Sequence, residues 1–304
     1  ISFTEDIKAA GTYKAIIEAL REDLAAEDIT TNFLVDPKET SEVYIAVKED
    51  CVLCGLEIAK KVFQTFDRNV LFRSLYQDGD RVKASSKIAL LKGKTRALLK
   101  AERVALNFLQ HLSGIATLTR VFVDKIKPLK TKILDTRKTM PGLRFLQKYA
   151  VRCGGGVSHR GNLNEMVLIK DNHLALLSPR KSISEIVSHL RKRTKKPIEI
   201  EVTTLQQFGE ALQGQPDIIL LDNMPVAQMK KAIITLKQHR PRKRIQLEAS
   251  GGINLKNIRA IAQIGIDRIS IGALTHSARA IDISMELKKQ EKNLCSTKSI
   301  KTST

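Results

Sequence analysis

Residues Ile198–Asn223 read IEIEVTTLQQFGEALQGQPDIILLDN. The first five alternate branched aliphatic and carboxylate, the last part is an apolar run closed by Asp222-Asn223, and the stretch between has helical composition. A strand, a helix and a second strand in so short a span is the unit of a parallel sheet with crossover helices. The rhythm continues on both sides. ILD (133–135), MVLI (166–169), DIILL (217–221), IQLE (245–248) and RISI (268–271) are short apolar strands separated by helical stretches. Each gives way to polar or glycine-rich sequence: Thr136-Arg137-Lys138, Lys170 to His173, Asp222-Asn223, Ser250-Gly251-Gly252, and Gly272 to His276. In a β/α barrel such ends converge on one mouth. The expected fold is α/β, an incomplete β/α barrel with room for fewer than eight strands; a doubly wound open sheet has the same periodicity and stays open as the alternative.

Ahead of Lys132 the order is mixed. We expect a helix over 13–24, a strand over 43–47, a helix over 56–66, strands over 81–83 and 88–91, and a helix over 95–112. Ser113-Gly114 is expected to interrupt that last helix before a second helical run. Unlike elements in this order suggest an α+β sandwich, an antiparallel sheet covered by helices. The division is therefore 1–114 for the sandwich and 115–275 for the barrel, with a helix over about 276–291 packing back on the first domain. Residues 292–304, ending LCSTKSIKTST, have the composition of a disordered tail.

The 304 residues carry a net charge of +20 and are 42% hydrophobic, so a real core is available and polyanions are attracted. Only 4% are aromatic and Trp is absent, which leaves few stacking platforms and makes nucleic acid a secondary reading. The opening ISFTEDIKAA has no apolar core, so neither a signal peptide nor a membrane span is expected. Four scattered cysteines fit a reducing cytoplasm better than a disulfide framework. Cys51 and Cys54 form a C-x-x-C without a second pair or a nearby His, and the expectation there is packing rather than zinc.

Chemistry concentrates at the strand ends. Arg137, Lys138, Arg160 and Lys170 bring positive charge to one mouth, with His159 and His173 adding hydrogen bonds; a substrate with two carboxylates or phosphates would justify it. Gly154 to Gly156 let the chain turn before His159 and Arg160. Glu199 and Glu201, two apart on a strand, share a face that should point into the barrel. Glu201 and Asp222 suit ribose hydroxyls or a hydrated Mg²⁺, with Glu248 positioned to join them. Ser250-Gly251-Gly252, followed by a helix over 255–264, forms an amide cradle for phosphate, and Gly272-Ala273-Leu274 its other side. A barrel aldolase with Lys170 as Schiff base and a basic RNA-binding protein are the rival readings.

Seven motifs together carry a resemblance: AERVALNFLQHLSGIAT (101–117), DTRKTMPGLR (135–144), GGGVSHRGNL (154–163), IKDNH (169–173), LLDNM (220–224), EASGGI (248–253) and GALTHS (272–277). The chain resembles the quinolinate phosphoribosyltransferases, type II phosphoribosyltransferases of de novo NAD synthesis, nearly end to end. It departs after about Glu291, and at Thr203-Thr204, where acidic residues or serine are common in the family. The resemblance implies a decarboxylating transfer from phosphoribosyl pyrophosphate to quinolinate, Mg²⁺ as cofactor, and a homodimer or higher oligomer with a shared active site. It implies that Arg103 reaches across from the neighbouring subunit. With Arg137, His159, Arg160 and Lys170, Arg103 would hold the carboxylates. Thr136 would line the same site, and Lys138 and Lys170 would meet the pyrophosphate. Glu201 and Asp222 would serve ribose and, through water, Mg²⁺. Ser250, Gly251, Gly252, Ile271, Gly272 and Ala273 would take the 5′-phosphate. Lys138, Lys170, Glu201 and Asp222 are the expected catalytic set, with no nucleic acid or membrane partner. A phosphoribosyltransferase for nicotinate would need only one carboxylate clamp, and the number of cations favours the diacid.

Overall fold

In the computed structural model, which describes residues 10–24, 27–177 and 181–288, the chain begins with helix Ala10–Leu24 and builds its first sheet from β1 (Thr40–Val47), β3 (Leu71–Ser74) and β5 (Lys87–Lys94). β2 (Cys51–Val52) and β4 (Arg81–Val82) make a small ladder beside it. Helix Leu56–Phe66 buries Leu56, Ile58, Ala59, Val62 and Phe63, and Phe63 meets Phe72 of β3 with ring centroids 6.1 Å apart. The amphipathic spacing of those five residues is what a sheet-covering helix requires.

Two sequence expectations fail here, both for tertiary reasons. Ser113-Gly114 does not interrupt the long helix, which runs unbroken over Thr95–Lys125. Gly114 is small because another segment crosses it: a Cβ there would lie 2.0 Å from the carbonyl oxygen of Arg279. Ser113 serves the other neighbour, its Oγ accepting from the Cys54 amide at 3.0 Å. The helix expected over 276–291 is also absent. A short turn of helix ends at His276, and β12 (Ile283–Leu287) pairs antiparallel with β1, Val43 opposite Leu287 and Val47 opposite Ile283. The segment does return to the first domain, as the edge strand of the order β12-β1-β5-β3. Cross-strand partners decide this over helix propensity, since Glu286 accepts hydrogen bonds from Tyr44 and Lys48, both at 2.5 Å. The expected tail, 292–304, lies outside the described residues.

The second domain holds six parallel strands, β6 (Lys132–Leu134), β7 (Val167–Ile169), β8 (Ile198–Val202), β9 (Ile218–Asp222), β10 (Gln246–Ser250) and β11 (Arg268–Ser270). Their spatial order is β6-β11-β10-β9-β8-β7. β7 to β11 lie side by side in sequence order, and β6, the first strand, lies beside β11, the last, the winding of a barrel; a doubly wound sheet would reverse partway. The barrel is incomplete between β6 and β7. Val157 enters that seam and bridges Leu134 in parallel, its amide donating to Ile133 at 2.8 Å. The glycine run makes this possible by close approach more than by turning. Only Gly155 has a positive φ, +90°, whereas a Cβ on Gly154 would sit 2.5 Å from Ala116 O and Thr119 Cβ on the long helix.

The crossovers follow the sequence closely. Helix Leu205–Gly214 starts where the Thr204 hydroxyl accepts the Gln207 amide at 3.2 Å, buries Phe208, Ala211 and Leu212, and ends at Gln215 in the left-handed region. The helix expected over 255–264 is shorter, Ile258–Gln263. Among the described residues no helix is long and apolar enough to cross a membrane.

Candidate active site

The carboxyl ends of the six barrel strands surround a cavity of about 670 Å³. Of the residues singled out from sequence, Thr136, Arg137, Lys138, His159, Arg160, Lys170, Glu201, Asp222, Glu248, Ser250, Gly251, Gly252, Ile271, Gly272 and Ala273 all line it. Leu168, Leu220, Asn223, Ile253, Ser270 and His276 line it as well and were not selected. Asn223 and His276 stand in the strand-end motifs already quoted, so position alone could have flagged them. His173 is turned away, its Nδ1 accepting the Lys170 amide at 3.0 Å.

One side of the cavity is cationic. Burial and the neighbouring Arg137 both lower the pKa of Arg160, so the Arg137 charge is felt at the Arg160 guanidinium. Like charges held this close are stabilised by an anion between them. Arg160 Nη1 is anchored on Met166 O at 3.1 Å. The Thr275 hydroxyl donates to Lys138 O at 2.6 Å, tying the loop after β6 to that after β11.

The opposite side is acidic. Burial, then Asp222, raise the pKa of Glu201, while Lys170 pulls it back. Glu201 and Asp222, carboxylates at neighbouring strand ends, offer hard oxygen donors to a cation, and Mg²⁺ fits this donor set. Beside them, Gly251 and Gly252 have φ of +85° and +61°, and Asn223 has +53°. The Asn223 amide donates to Ser250 O at 3.0 Å, and a Cβ on Gly251 would fall 2.2 Å from Asn223 Oδ1. The loops after β9 and β10 are therefore locked together, and only glycine fits at 251.

The floor holds Glu199 inside the barrel, as the alternation led us to expect, but its partners were not foreseen. Glu199 and Glu248 are fully buried, and His159 lies between them, Nε2 at 3.0 Å from Glu199 Oε2 and 3.4 Å from Glu248 Oε1. Arg268 Nε lies 2.9 Å from Glu248 Oε2. Glu248 thus turns to His159 and Arg268, and the expectation that it joins Glu201 and Asp222 is corrected. Burial opposes charge on His159, but the two carboxylates raise its pKa to about 9. Nδ1 also accepts the Arg160 amide at 2.8 Å, a contact that the charged ring must give up. One backbone hydrogen bond of about 1 kcal/mol is the weaker pull against two buried carboxylates. Burial and Glu248 push Glu199 up, while His159 and Arg268 overcome burial and hold Glu248 below the usual range. The backbone of His159 is clamped too. Its amide donates to Asp135 at 2.8 Å and its carbonyl accepts from Lys148 at 3.0 Å, with Lys148 and Asp135 themselves paired and buried.

Arg103 is not brought to this cavity. It projects from the long helix, its side chain 59% exposed, with Glu102 at 4.0 Å.

Fold and site together define an incomplete-barrel enzyme for small polyanions, with a cationic wall, an acidic pair and glycine loops around one mouth. Models of the quinolinate phosphoribosyl transferase N-terminal and C-terminal domains match residues 28–113 and 115–286. The nicotinate-nucleotide pyrophosphorylase [carboxylating] of Mycobacterium leprae is 41% identical over 278 residues, covering 90% of this chain and 95% of that one. The NadC structure from Streptococcus pyogenes superposes with a TM-score of 0.85 at 40% identity, over 90% of this chain and 95% of that one. The nicotinate-nucleotide pyrophosphorylase structure from Ehrlichia chaffeensis gives 0.84 at 41%, over 91% and 98%. The chain belongs to the quinolinate phosphoribosyltransferase family.

Proposed function

We propose that this chain converts quinolinate and phosphoribosyl pyrophosphate to nicotinate mononucleotide, pyrophosphate and CO₂. It is a pentosyltransferase reaction of NAD biosynthesis, carried out in the cytoplasm. The observation that carries the reading is the pairing of Arg137 with Arg160 on one wall and Glu201 with Asp222 on the other, around a cavity of this size. The guanidinium groups suit the two ring carboxylates, and Lys138 and Lys170 suit the pyrophosphate. Glu201 and Asp222 would hold the ribose hydroxyls and, through water, Mg²⁺. That ion, when bound, neutralises pyrophosphate charge. Ser250 to Gly252 and Ile271 to Ala273 would seat the 5′-phosphate.

In this arrangement the arginines hold the pyridine nitrogen in line with the anomeric carbon, so that a two-substrate collision becomes a positioned step. As the anomeric C–O bond breaks, its electron pair leaves with pyrophosphate toward Lys138 and Lys170, and the nitrogen lone pair forms the new C–N bond. The quaternised ring then accepts the electron pair of the C2–carboxylate bond, CO₂ departs, and the C2 carbanion takes a proton. No side chain acts as nucleophile. Arg103 would complete the carboxylate clamp from a neighbouring copy of the chain, which places the working unit at a dimer or larger.

An assay with quinolinate, phosphoribosyl pyrophosphate and Mg²⁺, following CO₂ and nicotinate mononucleotide together, tests the reading. Equal formation of both is expected. Turnover of nicotinate in place of quinolinate would move the specificity to the monoacid.

A further inference from the structure

The C-x-x-C of Cys51 and Cys54 is divided by the fold. Cys51 lines a groove with Val82, Thr117 and Asp124. Cys54 is fully buried and points the other way, toward Cys153 at the end of helix Arg144–Cys153. There, Cys54 Sγ, Cys153 Sγ and a carboxylate oxygen of Asp78 all lie within 4.8 Å of one another. No motif spacing joins these three residues, so the sequence could not pair them.

Asp78 is held rigidly for such a role. Its Oδ2 accepts from the Gly55 amide at 2.7 Å and the Tyr149 hydroxyl at 3.0 Å, and its Oδ1 accepts from the Leu56 amide at 3.0 Å. Oδ1 therefore keeps acceptor capacity. Burial pushes up both the Asp78 carboxyl and the Cys54 thiol, while Arg152 pulls the thiol back.

We propose that Cys54, Cys153 and Asp78 form a binding site for one thiophilic divalent cation of the Zn²⁺ type, with water as a fourth ligand. Tetrahedral Zn²⁺ with sulfur at about 2.3 Å and oxygen at about 2.0–2.2 Å sets its donors roughly 3.5–3.8 Å apart, inside the observed limit. Binding exchanges two thiol protons for the metal, so both sulfurs become thiolates and two protons are released to solvent. The site sits between domains. Cys54 and Asp78 belong to the sandwich, whereas Cys153 leads directly through Gly154–Gly156 to His159 and Arg160 in the cavity. A bound ion would tie the glycine run in place from its amino-terminal side, without touching substrate.

The test uses the full chain without a histidine tag, stripped with chelator and titrated with Co²⁺ under reducing, anaerobic conditions. We expect one equivalent to bind with a thiolate-to-cobalt band in the near ultraviolet and the visible bands of a tetrahedral site, all displaced by Zn²⁺. Cys54→Ala and Cys153→Ser should each abolish the bands and Cys51→Ala should keep them, with thermal unfolding of the metal-free variants reporting their folding. If Cys54→Ala does not fold, the half-buried Cys153→Ser decides. Absence of the bands with excess Co²⁺, or their survival in Cys153→Ser, overturns the proposal. So does a Cys54–Cys153 disulfide that forms in the wild type and resists mild reductant, since that would make the pair a redox couple instead.

Discussion

The imidazole of His159 sits 3.0 Å from Glu199 Oε2, in a floor where Glu199 and Glu248 are shut off from solvent. Charge on this histidine is what compensates the two carboxylates, with Arg268 as the other cation. Removing it in His159→Ala leaves buried negative charge unpaired and should cost about 3–5 kcal/mol of unfolding free energy. Urea unfolding monitored by circular dichroism measures the loss. A change below 1 kcal/mol would mean that water or rearrangement supplies the missing charge.

The same relationship sets a pH dependence. A folded pKa near 9, above the unfolded value of about 6.5, makes the contribution of His159 complete below pH 6.5 and removes it as pH climbs through 9. The stake is on the order of 3 kcal/mol. Tm should therefore fall between pH 7 and 10, and His159→Gln should flatten that fall. An equal slope in the variant would place the titration elsewhere.

Arg137 and Arg160 both line the cavity, and the charge of Arg137 lowers the pKa of Arg160. Truncating Arg137 to Ala should lower kcat/KM for quinolinate roughly ten- to hundredfold, the effect of losing charge-assisted hydrogen bonds of about 1.5–3 kcal/mol. Steady-state kinetics with each substrate varied in turn will show it. Unchanged quinolinate kinetics would remove Arg137 from the carboxylate clamp.

Gly251 has φ +85° and meets Asn223 where a Cβ would lie. Gly251→Ala should raise the KM for phosphoribosyl pyrophosphate more than that for quinolinate, because the strain falls in the loop proposed to seat the 5′-phosphate. The backbone strain alone is of order 1–3 kcal/mol. A symmetric effect on both substrates would point to general loosening.

Arg103 lies outside its own cavity. If it completes a neighbour's site, mixing equal amounts of the impaired Arg103→Ala and Arg137→Ala variants should raise activity to about a quarter of wild type, above either variant alone, through mixed dimers with one intact site each. No recovery after subunit exchange would confine the active site to one chain.

Where strand and helix periods were strong, the residues alone placed the elements. The barrel strands and helix Leu56–Phe66 fall where alternation and amphipathic spacing put them, because those patterns record burial directly. They failed where a small or ambiguous residue answers to a distant neighbour. Gly114 reads as a helix breaker and proves to be a crossing point for Arg279, and Ile283–Leu287 reads as helix but takes its form from β1.

By itself, then, the sequence determined the class of fold and gathered the charges of the mouth, since strand ends in a parallel barrel must converge and the cations and glycines were written at those ends. Only the tertiary structure decided that the strands wind as a barrel with Val157 in its seam, that Glu248 turns from the mouth to His159, and that Cys54 meets Cys153. The physical reason is common to all three. Alternation tells which face of a strand is buried, but the partner met on that face lies far along the chain and is fixed by packing, which no local period encodes.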